Sequence, residues 1–140
     1  MEIRRLTIQD IPFMKEVLED DDMAFDEQNL QAFINAPFNY GFIAKEQDRI
    51  VGFAYAYALL RPDGRVMLYM HSIGVLPAFQ NDGIGTKMLQ FINEFAKENG
   101  MSEIFCITDR GNARACHVYE KVGFSSEIPD EICYVNELKK

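Results

Sequence analysis

The stretch 65–108 holds an apolar strand-like run (VMLYMHSIGV), a glycine-bearing turn (QNDGIG), a long amphipathic run (TKMLQFINEFAKENG) and a second short apolar run. Two strands joined through a helix of that length lie parallel with a right-handed crossover, because no hairpin spans the gap. Upstream the pattern is the opposite. The runs 40–45, 50–60 and 65–75 are separated by EQDR and RPDG, short joints rich in turn formers that favour antiparallel neighbours. The chain therefore predicts an α/β (α+β) fold, with a mixed, mostly antiparallel central sheet and helices on both faces.

The remaining elements follow from periodicity and punctuation. Residues 2–6 suit a first strand, and Asp10 ahead of Ile11 and Pro12 reads as the cap of a helix running to about residue 18. Leu30, Phe33 and Ile34 are helically spaced within 27–34, and Pro37 ends that helix. In 83–98, Ile84, Met88, Leu89, Ile92 and Phe95 share one face, with Gly100 as the stop. A strand at 103–108, a helix at 112–121 ended by Gly123, and a last strand at 132–138 complete the order β-α-α-β-β-β-α-β-α-β, with room for a short extra strand at 124–126. A chain of 140 residues, 48% hydrophobic and without repeats, predicts one domain over 1–140.

Composition narrows the function classes. A formal charge of -8 excludes a basic nucleic-acid surface and suits a cationic ligand. The longest apolar run, 50–60, is too short to span a bilayer as a helix, so no membrane partner is expected and a cytoplasmic location is. Three cysteines without CxxC spacing and two histidines predict reduced thiols and no metal site.

The turn QNDGIG sits where a strand meets a helix, the setting in which free N–H groups and the helix dipole hold phosphates. A dinucleotide fingerprint needs a third glycine where Met88 stands. A P-loop needs Gly-Lys-Ser/Thr, but the order here is Gly85-Thr86-Lys87. What remains is Gln-x-x-Gly-x-Gly, preceded by Ile73-Gly74-Val75-x-Pro77. Glycine at two positions lets a pyrophosphate approach bare backbone without a metal ion.

With that loop, and with Asn112-x-x-Ala115-x-x-x-Tyr119-x-Lys121-x-Gly123-Phe124 downstream, the chain resembles the GCN5-related N-acetyltransferase superfamily. The resemblance implies acetyl-coenzyme A (acetyl-CoA) as co-substrate. Its pyrophosphate would lie on Gln80, Asn81, Asp82, Gly83, Ile84, Gly85 and Thr86, its pantetheine arm along Ile73 and Val75, with Asn112 and Tyr119 completing the cofactor side. Two letters depart from the family's habit: Gln80 stands where arginine is usual, and Asp82 sets a carboxylate beside the phosphates. Lys87 and Arg114 are the candidate compensating charges. Tyr119 matches the tyrosine that faces the coenzyme sulfur, which makes it the candidate acid. His71, on one strand face with Tyr69, is the candidate base, since an imidazole ordinarily titrates near pH 6.5. Ser72, expected on the opposite face, and mid-helix His117 are weaker candidates.

The segment IVGFAYAYALLRPDGRVMLYMHSIGV and the tail EIPDEICYVNEL also resemble the aminoglycoside 3-N-acetyltransferase branch, although that branch has aspartate where this chain has Ser72. The implied acceptor is a small cationic amine met by acidic residues among Glu19, Asp20, Asp21, Asp22, Asp26, Asp130 and Glu131, with Asp21, Asp22, Tyr69 and Glu131 as the expected contacts. A protein or peptide amine is the alternative acceptor, and a non-catalytic acyl-CoA-binding module the alternative class. Apolar strands near the C-terminus would allow a homodimer.

Overall fold

The computed structural model describes residues 1–128 and 130–139. Its sheet has the strand order β1-β2-β3-β4-β5, with β1 at Glu2–Arg5, β2 at Asn39–Glu46, β3 at Arg49–Leu60, β4 at Val66–Val75 and β5 at Glu103–Phe105. Neighbours from β1 to β4 pair antiparallel, and β4 pairs with β5 in parallel. Helices α1 (Lys15–Asp20), α2 (Glu27–Asn35), α3 (Ile84–Glu98) and α4 (Ala113–Lys121) complete the fold.

The two sheet faces are set by the alternation in β3, where AYAYA puts alanines on one side and tyrosines on the other. Ala54 and Ala56 are fully buried on the side that receives α3, whose Met88, Leu89 and Ile92 are buried with them. Across that layer Phe42 meets Phe91 and Phe95 edge-on, so Phe42→Ala should cost about 3–5 kcal/mol. Gly52 permits the close approach: a Cβ there would stand 2.8 Å from the Met88 sulfur. The tyrosine side faces α1 and α2, and Phe33 of α2 packs edge-on against Tyr55 and Tyr57.

Two expectations need correction. Asp10 does not cap the first helix: residues Ile8–Phe13, with Pro12 inside, form a 3-10 turn, and α1 starts at Lys15. Asp10 is instead buried, taking Arg4 Nη1 and Nη2 at 2.8 and 2.7 Å and the Thr7 N–H at 2.8 Å. Burial works to raise its pKa, but the bonds from Arg4 and Thr7 outweigh it and hold the carboxyl below its ordinary value. A depressed folded pKa means stability that is present above the ordinary carboxylate range and lost as pH falls through the lowered value.

The second correction concerns the C-terminal strand. Residues 132–138 join no ladder, and neither do 124–126. Ile132, Tyr134, Val135 and Leu138 are 69%, 89%, 78% and 90% exposed. An apolar run forms a strand only where a neighbour offers an edge, and β5, at three residues, offers little of one.

Candidate active site

The cofactor loop is built by local backbone geometry. After β4 ends, Pro77–Phe79 make one 3-10 turn and α3 begins behind Gly83 with no side-chain cap. The first N–H of this helix to find a helical acceptor is that of Lys87, on the Gly83 carbonyl at 3.1 Å. The N–H groups at the helix mouth therefore point outward as donors at the positive end of the dipole. Gly83 has φ +80°, a left-handed conformation that accounts for glycine there. Gly85 differs: its φ is not left-handed, and a Cβ added to it would meet nothing within 4 Å. Neither torsion nor packing asks for glycine at 85, whereas a phosphate lying on the backbone would. The exposed Asn81 and Asp82 flank this mouth, Asn81 with φ 70°.

Gln80 ties the loop to its surroundings. Its Nε2 donates to the Val75 carbonyl at 2.9 Å, and its Oε1 accepts from Arg114 Nη1 at 2.6 Å. A cation thus stands at the position where Gln80 had left one wanting, delivered from the first turn of α4. Asn112 caps that helix, its Oδ1 accepting the Ala115 N–H at 3.1 Å. Further along α4, half-buried Tyr119 packs against Phe124 at 5.7 Å and lies beside the Cys106 thiol just past β5. Burial foremost, with Cys106 and Cys116 adding to it, pushes the Tyr119 phenol up to about 12, so it stays protonated throughout the working range. Burial likewise raises the Cys106 thiol.

The strand before the loop carries a bulge. Tyr55 faces Ser72 and Ala56 faces Met70, which leaves His71 as the extra residue. Strict alternation had put Ser72 on the opposite face; the bulge turns it to the tyrosine side, where its hydroxyl donates to Asp21 at 3.0 Å. His71 is exposed, with its ring 5.1 Å from Tyr55 and 5.4 Å from Tyr69. Pairing of β4 with β5 covers Met67 to Tyr69 only, so the β5-side edge of β4 beyond it, Ile73 and Val75 included, is unpaired among the described residues. That open edge runs from the histidine to the loop.

The expected acidic contacts are dispersed. Asp21 reaches the site through Ser72, and with Phe53 and Gly74 it lines a small cavity of about 30 Å³. Asp22 is exposed beside it with φ 57°. Asp20 lines that small cavity too and, with Glu19, Glu16, Arg49 and Pro77, a second one of about 410 Å³, while Asp26 caps α2 through the Asn29 N–H. Glu131 lies on the α3 side, in a cavity of about 860 Å³ with Asn93, Lys97 and Phe124. Tyr55, Tyr57 and Phe33, which were not among the expected contacts, have their rings on the His71 face as well, and the period-two aromatics of FAYAY carried the signal for the two tyrosines. Among the described residues no group of three or more His, Cys, Asp or Glu could hold a metal ion, and no helix is long and apolar enough to cross a membrane.

Comparison with known proteins places this geometry. The family described as "Acetyltransferase (GNAT) family" matches residues 6–124. N-alpha-acetyltransferase 30 of Schizosaccharomyces pombe is 25% identical over 92 residues, covering 66% of this chain and 61% of that protein. The aminoglycoside acetyltransferase meta-AAC0020 from an uncultured soil metagenomic sample, solved in complex with sisomicin, superposes with a TM-score of 0.85 at 25% identity, over 99% of this chain and 96% of that one. The aminoglycoside N-acetyltransferase AAC(6')-Iy, solved in complex with CoA, shares the fold at 18% identity with a TM-score of 0.79, over 97% of this chain and 98% of that one.

Proposed function

The chain belongs to the acetyltransferase (GNAT) family, and from that premise we propose that it moves an acetyl group from acetyl-CoA to the primary amine of a small cationic acceptor, by direct attack in a ternary complex. The observation that carries the reading is the uncapped mouth of α3 with Gly85 bare for no internal reason. Aminoglycosides fall within this acceptor class, as the names of the similar structures suggest.

Acetyl-CoA supplies the acyl group as an activated thioester. The N–H groups at the mouth of α3 hold its pyrophosphate, and Arg114, held by Gln80, adds a positive charge at the loop. The edge of β4 that lacks a strand partner at Ile73 and Val75 offers backbone groups other than the Val75 carbonyl, which Gln80 holds, to the extended arm, and a neighbouring N–H polarises the acyl carbonyl. His71 takes a proton from the incoming amine while the C–N bond forms and the C–S bond breaks. Tyr119 hydrogen-bonds from its hydroxyl to the departing thiolate, which takes up its proton from solvent. With the phenol near 12, Tyr119 works as a hydrogen-bond donor that never competes as an anion. The exposed apolar side chains of 132–138 suit a homodimer, which sedimentation would reveal.

The experiment is an acetyl-transfer screen with purified protein over aminoglycosides, polyamines, arylalkylamines and peptides, reading thiol release and acetylated product by mass. Amine-dependent release with a small-molecule product supports the reading. Preference for peptides would turn it toward a protein N-acetyltransferase, and binding of acetyl-CoA without release under any amine would leave an acyl-CoA-binding module.

A further inference from the structure

We propose that the acceptor is a monoamine carried on a flat aromatic body, and that the rings of Phe33, Tyr55, Tyr57 and Tyr69 form its binding wall. This deepens the acetyltransferase reading and rests on it. The wall is assembled from three elements and abuts a fourth. Tyr57 of β3 lies 6.4 Å from Tyr69 of β4, Tyr69 stacks on Phe105 of β5 at 5.0 Å, and Phe33 of α2 meets Tyr55 at 5.9 Å and Tyr57 at 6.2 Å. These rings are half-buried, forming one apolar surface that runs up to the exposed His71. An added aromatic ring extends such a ladder through the same offset and edge contacts, worth about tenfold in affinity per well-made pair.

Charge decides between this acceptor and a polycation. Each ammonium of a polyamine or aminoglycoside that is drawn from water needs a partner. Among the described residues, Asp26 caps α2, Glu19 lines another cavity and Glu131 lies in a third on the far side of the sheet; Asp20 shares the small cavity with Asp21 and Asp22 is exposed next to it, but of these acids Asp21 alone is hydrogen-bonded to β4. One carboxylate, tied to β4 at Ser72, matches one ammonium: Asp21 draws in the charged amine, and His71 relays to solvent the proton that the ammonium must lose before attack, which leaves it free to take the second as the C–N bond forms. The rest of the acceptor then lies over rings. Burial raises the Tyr55 phenol, and Tyr57, Asp21 and Tyr69 add to that, so this ring stays neutral.

The test compares kcat/KM for 2-phenylethylamine, spermidine and kanamycin, in wild type and in the Tyr55→Leu, Tyr57→Leu, Tyr55→Phe and Tyr57→Phe variants, with the calorimetric Kd for CoA as a check on folding. The expected result is a preference of at least about tenfold for 2-phenylethylamine, with KM raised about tenfold in each leucine variant, near-wild-type KM in each phenylalanine variant and an unchanged CoA Kd. Higher kcat/KM for kanamycin or spermidine overturns the proposal. So does an equal loss in the phenylalanine and leucine variants, which would mean that hydroxyls and not ring faces read the acceptor. Absence of thiol release with every amine overturns the acetyltransferase reading itself, and this proposal with it.

Discussion

The cofactor loop and the ring-lined face are built by opposite means. The loop is a short continuous stretch, Gln80 to Thr86, in which backbone N–H groups do the binding and side chains mainly keep out of the way. The ring face draws Phe33, Tyr55, Tyr57, Tyr69, His71 and Asp21 from elements far apart in the chain, and its backbone is taken up in the sheet and in the helices that cover it. A site made of backbone is general to whatever carries its phosphate, whereas a site made of side chains is where specificity can change without disturbing the fold. The two regions should therefore respond separately to substitution.

The largest separation is expected at Gly85. Gly85→Asp sets a carboxylate against the phosphates where no internal contact resists it, and should weaken CoA binding by about 100-fold or more by calorimetry while the melting temperature holds. An unchanged affinity would remove the loop from the cofactor site. Tyr119→Phe should lower kcat by about 100-fold with the CoA Kd unmoved, because the hydroxyl acts only as the thiolate departs. An unaffected turnover would exclude it as donor.

His71→Ala should slow turnover by about 10- to 100-fold and flatten the acid limb of the pH–rate profile, again without a change in CoA Kd. A retained limb would point to another base. Arg114→Ala should raise the CoA Kd about tenfold, with Gln80→Ala approaching it, since Gln80 presents the guanidinium. Equal affinity in Arg114→Ala would leave the Gln80 contact as structural only. The smallest effect is on the alkaline side. A phenol pushed up to about 12 predicts no loss of kcat from Tyr119 ionisation up to pH 10. For stability the sign is the same: the contribution of neutral Tyr119 is full below the ordinary phenol value and lost as pH rises through about 12.

The difference between the regions also decides how much of each was legible in the sequence. The loop could be read because its chemistry is local, a glycine spacing between a strand and a helix. The element order through α4 was legible for the same reason, from turn residues and helical periodicity. The ring face was only half legible. FAYAY announces a face of aromatics by alternation, but that Phe33 closes it, and that a bulge at His71 turns Ser72 toward Asp21, depends on tertiary register. The acidic run was legible only as a run: that its members divide between two cavities, with Asp21 tied to Ser72, depends on how the end of α1 meets the sheet. Asp10 looked like a cap and became the buried partner of Arg4, and 132–138 looked like a strand but found no edge.

The central claim is that loop and ring face are filled at the same time and the acetyl group passes directly between their occupants. Initial rates measured over a grid of acetyl-CoA and amine concentrations test this most directly. Transfer within a ternary complex gives double-reciprocal lines that intersect. Parallel lines, with a burst of thiol before amine is added, would mean that the acyl group first rests on the protein and would contradict it.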